Sequence, residues 1–174
     1  LAAGPAPGIC FEAKVGKSMF RINRDLRFTK DPTPYHPHLD LSWWEGDGPK
    51  TSPAFICRIR HDELLTGVGI YALADDRVAR FRDAIVGDDG ARFDALVTDA
   101  EAAGARRSEA TRKRVPKGYD AEHPRRDFLL RDGFFISATE AIPSSAMSAS
   151  FADDVADRLA RFAPLHRWLV DHVG

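Results

Sequence analysis

The chain has few of the residues that mark secreted, zinc-stabilised or membrane-spanning proteins. Its 174 residues include only two cysteines, Cys10 and Cys57, without CxxC spacing, which argues against a disulfide framework and a structural zinc site. No apolar run approaches the roughly 20 residues that a membrane-spanning helix needs. The first residues lack the basic and apolar regions of a signal peptide. These absences favour a reducing compartment, and we expect a cytoplasmic protein.

The chain also lacks an excess of charge of either sign. Lysine and arginine number 25 against 26 for aspartate and glutamate, so the net charge is −1. A domain whose whole surface binds nucleic acid is usually strongly basic, so this balance argues against such a domain and leaves only local basic patches open. Apolar residues make up 44% of the chain, which is enough for the core of one domain.

The order of hydrophobic patterns predicts one α+β domain behind a flexible lead-in. The lead-in spans residues 1–18 and starts rich in Ala, Gly and Pro, and the domain spans residues 19–174. Alternating apolar residues predict strands, and apolar residues at helical spacing predict helices. We expect strands at residues 20–28, 39–44, 54–60, 64–73 and 134–139; a helix through Met19, Ile22 and Leu26 is the alternative for the first of them. We expect helices from a cap at Asp75 or Asp76 to a break at residues 87–90, and at residues 93–104, 124–132, 150–162 and 164–173. The predicted fold is a mostly antiparallel sheet of about five strands, with helices packed on one face.

Met19–Trp44, the first basic segment, mixes cations, aromatic rings and prolines in a pattern that core and surface alone do not explain. It includes Arg24, Arg27 and Lys30. Guanidinium groups suit phosphates and carboxylates because they donate two parallel hydrogen bonds. The other interpretation is an internal network of ion pairs that ties the strand to the following loop.

Arg112–Arg126, the basic loop, reads RKRVPKGYDAEHPRR. Lys117 precedes Gly118, whose backbone freedom suits a tight turn, and such a basic turn can hold an anion through backbone N–H groups and cations. The glycine spacing of a nucleotide-binding P-loop is absent. The alternative is a solvated loop whose Tyr119 packs on the core.

Histidines in the first basic segment raise the question of a metal. If the chain is extended there, His36, His38 and Asp40 point to one side, and these side chains are ligands for zinc or iron. Pro37 bends the run, so hydrogen-bonded loop histidines are the preferred interpretation, and we expect no metal. Candidates for proton transfer are His38, His123 and Asp40. The sequence identifies no cofactor.

Aromatic side chains near these cations can stack on a ring of a ligand. Trp44 lies on the polar side of its strand, whereas Trp43 lies on the apolar side and is expected in the core. Tyr35 and Tyr119 complete the group of aromatic candidates.

Two stretches also resemble a known family. The stretch FRINRDLRFTKDPTPYHPHLDL, followed at a distance by KRVPKGYDAEHP, resembles the domain of unknown function 2461, a set of conserved hypothetical proteins of bacteria and fungi. The resemblance extends from about Phe20 to Leu169 and implies no activity, cofactor or substrate. It implies an extra helical segment before the FRINRD-like strand, which we expect this chain to lack. Relatives often have PYK at residues 34–36, so a role for His36 would not extend across the family.

Three hypotheses follow from these residues. In the first, Arg24, Arg27 and Lys117 hold an anionic small molecule, the aromatic group packs on its remainder, and a histidine transfers protons if the protein is an enzyme. In the second, the same surface binds a protein or a nucleic acid without catalysis. In the third, the motifs are purely structural ion pairs. An enclosed site favours the first hypothesis, and a flat open face favours the second.

Overall fold

A computed structural model describes residues 6, 8–28, 32–71 and 73–174. Its centre is one sheet of five antiparallel strands in the order β1-β2-β3-β5-β4. The strands are β1 (Leu39–Trp44), β2 (Ala54–Ile59), β3 (Glu63–Ile70), β4 (Arg106–Arg107) and β5 (Phe134–Ala141). The helices are α1 (Asp75–Val86), α2 (Gly90–Ala102), α3 (Arg126–Leu129), α4 (Phe151–Ala160) and α5 (Ala163–Val173). The predicted fold class, an antiparallel sheet with helices, is confirmed. Across the described residues, no helix has both the length and the apolar character to cross a membrane.

The helices cover one face of the sheet and enclose the hydrophobic core there. Alternate strand residues such as Phe55, Val68 and Ile136 are fully buried, because successive side chains of a strand point to opposite faces. Phe81 of α1 meets Trp168 of α5 edge to face, with ring centroids 6.2 Å apart. Burying side chains of this size contributes roughly 1.5–3 kcal/mol each, so this face is a major source of stability.

The opposite face, here called the open face, carries the alternate residues of the same strands. Across it Asp40 pairs with Arg58, Ala54 with Gly69, and Gly69 with Phe135. Directly paired residues of neighbouring strands have adjacent side chains, so these rows form a continuous surface. Several members of this surface are only partly buried: Ile56, Arg58, Leu65, Phe135 and Ser137.

The chain before β1 runs along the edge of that strand. Cys10 forms an isolated bridge with Trp44, Met19 forms one with Leu41, and Ser18 is fully buried. These contacts cover a sheet edge that would otherwise offer unpaired backbone groups. The flexibility of residues 1–18 stays a prediction.

The strand predicted at residues 20–28 is wrong. Asn23 makes only an isolated bridge with Tyr35, and Leu26–Phe28 form a short 3-10 helix. The side chain of Asp25 accepts a hydrogen bond from the backbone N–H of Arg27 at 3.1 Å. Local bonds of this kind compete with strand pairing and favour a turn, which explains why the apolar alternation misled.

Candidate functional site

A cleft of about 320 Å³ opens on the open face of the sheet. The small residues Ala54 and Gly69 lie side by side in its floor, and Phe135 follows Gly69 in the same row. Phe20 and Ile56 add apolar walls. The cleft is therefore a depression in the sheet itself, bounded by larger side chains.

Gly69 is required by the packing of the two strands. A Cβ atom at this position would lie 2.1 Å from the carbonyl oxygen of Phe134 and 2.7 Å from Cδ2 of Phe135. No side chain fits there, and glycine inside a strand commonly marks such a close approach. The bare floor of the cleft follows from this contact between β3 and β5.

A carboxylate–guanidinium pair lies at the side of the cleft. Arg58 donates two hydrogen bonds to the two carboxylate oxygens of Asp40, each 2.7 Å long. The hydrogen bonds to Asp40 raise the pKa of the Arg58 guanidinium, although its partial burial opposes them. Because the two charges cancel, Arg58 offers a ligand polarity more than net charge.

His38 lies next to this pair. Its Nε2 is 3.7 Å from Oδ2 of Asp40, and its ring centroid is 5.1 Å from that of His36. Burial and the nearby positive charge of Arg58 lower the pKa of His38. Asp40 already has Arg58 on both oxygens, so its lone pairs are poorly available to a metal. In the described part of the chain, no three His, Cys, Asp or Glu side chains are grouped to hold a metal ion.

One end of the cleft is cationic. A second hollow of about 440 Å³ shares Phe20, Pro49 and Lys50 with the cleft, and Lys17 and Arg21 line it as well. Lys17 is paired with Glu12 at 3.6 Å. Arg21 and Lys50 are exposed, and neither forms an ion pair with any of the residues described. This cationic hollow therefore carries positive charge that the described residues do not neutralise.

Local contacts place both of these cations. Phe20 donates its backbone N–H to the carbonyl of Asp40 at 3.0 Å, which fixes the neighbouring Arg21 beside β1. The loop that holds Lys50 is tied to α1, where Arg77 donates a hydrogen bond to the carbonyl of Thr51. Gly46 begins this loop with a φ of 125°, a backbone conformation that favours glycine.

The other end of the cleft is electrically balanced. A hollow of about 130 Å³ shares Arg58 with the cleft and is lined by Arg60, Glu63 and Thr139. Arg60 is 3.8 Å from Glu63, and Arg58 is bound to Asp40. The cleft and the two hollows that share lining residues with it are here together called the sheet-face groove. Among the described residues, its uncompensated positive charge lies at one end.

The predicted residues of the first basic segment lie in several places. Arg27 donates to Asp25 with Nη2 at 2.7 Å, and Arg24 is half-buried with its backbone bound to Pro34. Tyr35 is exposed, and Lys30 lies outside the described residues.

Two predictions about the tryptophans have different outcomes. Trp43 is fully buried in the core, as predicted. Trp44 lies in the row of Ala54 on the open face but is only 3% exposed. Its role in binding stays a prediction.

The basic loop makes its contacts on the helical side of the protein. The hydroxyl of Tyr119 donates to Asp83 of α1 at 2.8 Å, and Nε of Arg125 donates to the carbonyl of Ile85 at 2.7 Å, near the end of that helix. Gly118 has a φ of 101°, as a tight turn requires, and Lys117 next to it is exposed. His123 accepts the backbone N–H of Arg125 on Nδ1. These bonds are of the kind that the structural interpretation expects.

The predicted set therefore overlaps the groove only in part. Among the described residues, Asp40 lines the cleft, whereas Arg24, Arg27 and Lys117 do not. That these three cations together hold an anion stays a prediction, and none of the three lines the groove. Sequence reasoning missed Lys50, Arg58, Tyr71 and Phe135. A signal for the cleft was present in Gly67-Val68-Gly69, since glycines inside a strand mark close backbone approach.

These features define an α+β protein whose antiparallel sheet has one face under helices and one open face with a groove. A family model described as "Conserved hypothetical protein (DUF2461)" matches residues 8–168, and the chain belongs to this family. The resemblance noted in the sequence is thereby confirmed. No curated protein and no solved structure matches the chain.

Proposed function

We propose that the sheet-face groove binds a small anionic molecule. Its phosphate or carboxylate group lies at Arg21 and Lys50, and its remainder fills the apolar cleft. The observation that supports this proposal is that the two spaces adjoin, because Phe20, Pro49 and Lys50 line both the cationic hollow and the cleft. A ligand of ordinary metabolite size can therefore reach both at once.

Two interactions of similar size would hold such a ligand. Hydrogen bonds to charged groups contribute about 1.5–3 kcal/mol each. Roughly 100 Å² of apolar surface removed from water in the cleft adds about 2.5 kcal/mol. Because neither interaction dominates, the proposed ligand is amphipathic, with an anionic end and an apolar body.

Catalysis is a further part of this proposal. His38 is held beside Asp40, and its lowered pKa leaves its ring neutral near pH 7, as a general base requires. The proposed proton-transfer residues are His38 and Asp40. His123 is excluded from this role because its Nδ1 accepts a hydrogen bond within the basic loop. The proposed location is the cytoplasm, where the free thiols of Cys10 and Cys57 would stay reduced.

The second candidate function is a module that binds single-stranded nucleic acid. It is favoured by the length of the groove, which continues past Arg58 to Arg60 along an open sheet with aromatic residues. The balanced charge at that end speaks against it, because phosphate chains bind to rows of uncompensated cations. We therefore place it second.

A thermal-shift screen tests the proposal. The panel contains phosphorylated metabolites, nucleotides, dicarboxylates and short oligonucleotides, and it is run on the wild type, Lys50→Ala and the matched charge control Lys117→Ala. We expect an anion to raise the Tm of the wild type and of Lys117→Ala, and to raise that of Lys50→Ala much less, because ligands that bind only the folded state stabilise it in proportion to their affinity. An undiminished rise in Lys50→Ala contradicts the proposal. A rise with oligonucleotides alone supports the nucleic-acid module instead.

A further inference from the structure

We propose that the ligand of the sheet-face groove carries a planar aromatic ring, which lies over Ala54 and against the ring of Phe135. This inference rests on the proposed function, because it names the chemical class of the molecule that the groove binds. The anionic group of the ligand, at Lys50, is a carboxylate or a phosphate. Ligands of either class carry the proposed ring.

The shape of the cleft floor is the first argument. Ala54 and Gly69 are paired on neighbouring strands, between Trp44 on one side and Phe135 on the other. Strands in a sheet are about 4.8 Å apart, so the backbones of Trp44 and Phe135 are roughly 14 Å apart with only two small residues between them. The Phe135 ring covers the part over Gly69, and the low floor over Ala54 leaves room for the face of a ligand ring.

The position of the Phe135 ring is the second argument. Its Cδ2 lies 2.7 Å from where a Cβ of Gly69 would stand, so the ring leans over the glycine and lines the cleft. Phe135 is only partly buried, whereas Phe134 beside it is buried in the core. The aromatic surface of Phe135 is therefore available to a ligand in the cleft.

Tyr71 is the third argument. It follows β3 on the same parity as Gly69, lines the cleft and is 87% exposed. An aromatic side chain that is this exposed, at the rim of an apolar cleft, buries almost no surface in the hydrophobic core. Offset or edge-to-face contact with a ligand ring gives it a function, because aromatic pairs are attracted beyond the effect of the buried area alone.

Paired probes separate this inference from the function on which it rests. Isothermal titration compares 2-naphthoate with decahydro-2-naphthoate, which has the same carboxylate but a saturated body. A second pair compares adenosine 5′-monophosphate with ribose 5-phosphate and shows whether phosphate replaces carboxylate. We expect 2-naphthoate to bind about three- to tenfold more tightly than decahydro-2-naphthoate, which is the range that an aromatic contact provides. Adenosine 5′-monophosphate should exceed ribose 5-phosphate by at least as much, because that pair differs by the whole base.

Two variants locate the effect. Phe135→Leu keeps an apolar side chain but removes the ring, and Tyr71→Ser changes a residue too exposed to matter for folding. We expect Phe135→Leu to abolish the preference for the aromatic probe and Tyr71→Ser to reduce it, with the Tm of Tyr71→Ser unchanged. If both variants keep the full preference, the ring lies elsewhere and the inference is wrong.

The remaining outcomes assign failure to one level or the other. If the aromatic and saturated probes bind with equal affinity, and Lys50→Ala weakens the binding of both, the aromatic inference is overturned and the anion site stands. A thermal-shift panel without any small-molecule hit, together with no binding of the four probes, overturns the proposed function and the inference with it.

Discussion

The two basic segments have similar compositions and very different surroundings. The first basic segment supplies Phe20, Arg21 and Asp40 to the groove, and its Arg21 has no ion-pair partner among the residues that the structure describes. In the basic loop, by contrast, Arg112 and Arg125 donate to a carboxylate and to backbone carbonyls. A cluster of cations and rings thus marks a region of interest, but neighbouring acceptors decide whether a cation is available to a ligand.

Asp132 shows how the basic loop is held. It accepts hydrogen bonds from Arg82 at 2.7 Å and from Arg112 at 2.8 Å. Burial alone would raise the pKa of Asp132, but the bonds from Arg112 and Arg82 outweigh it and lower this pKa. Arg82 is 7% exposed and also donates to the carbonyl of Leu129 at 3.0 Å. The loop is therefore fastened to α1 through a largely buried guanidinium.

The largest effect is expected from Arg82→Met. Breaking a buried ion pair leaves its partners unpaired, and we expect the free energy of unfolding to fall by about 3 kcal/mol. Urea denaturation measures the change. Arg80→Met, whose exposed side chain is 3.8 Å from Asp76, is the matched control and should change it by less than about 0.5 kcal/mol. Equal stability of the two variants would contradict a structural role for this cluster.

Lys50→Ala is expected to have the next largest effect, and on binding instead of stability. Losing one charge-assisted contact weakens the binding of a groove ligand about tenfold, while the Tm of the free protein stays the same because Lys50 is exposed and without an ion pair in the described structure. Titration calorimetry and a melting curve report the two quantities. A lower Tm with unchanged affinity would reverse the assignment of the two regions.

Tyr119→Phe should show the opposite pattern on a smaller scale. It removes the hydroxyl that donates to Asp83, which lowers the free energy of unfolding by about 1 kcal/mol and leaves the affinity for a groove ligand unchanged. Chemical denaturation and ligand titration of the same sample check both halves. Weaker ligand binding at unchanged stability would place the site in the basic loop.

The dependence of stability on pH probes the core behind the groove. His166 is fully buried against Phe55, and burial lowers its pKa below the ordinary value of about 6.5. Just below pH 6.5 the imidazole of His166 is therefore protonated in the unfolded chain but stays neutral in the folded protein. The stability that neutral His166 contributes is complete above about pH 6.5 and is lost as the pH falls below it. Denaturation midpoints measured from pH 7.5 to 5 should fall. His166→Phe should reduce this slope, and an unchanged slope would show that other groups cause it.

Most strands and helices could be predicted because the sequence of each element contains its own pattern of apolar residues. The hairpin of β2 and β3 follows from alternating apolar residues around a short polar turn, and the helices follow from their apolar spacing. β4 was missed because Arg106–Arg107 has no apolar alternation, and it exists only by pairing with Ile136 and Ser137 of β5. Such strands are set by the neighbour, which the local pattern does not contain.

The site was less predictable for the same reason. Asp40 and His38 were proposed from the sequence because they stand in a dense local pattern; Asp40 lines the cleft, and His38 lies beside Asp40. Lys50, Arg58 and Phe135 come together only when β2, β3 and β5 adopt their order in the sheet, with β5 entering next to β3 after α1, α2, β4 and α3. The position of Arg58 opposite Asp40 follows from the register of β1 and β2.

The most direct test of the account is to map a bound probe by NMR. Backbone amide shifts of the labelled wild-type protein are followed while 2-naphthoate is added. We expect perturbations at residues 16–21, 40–58, 67–71 and 135–137, with the basic loop at residues 112–126 unchanged. Perturbations confined to residues 112–126 would contradict it and would make the basic loop the binding region.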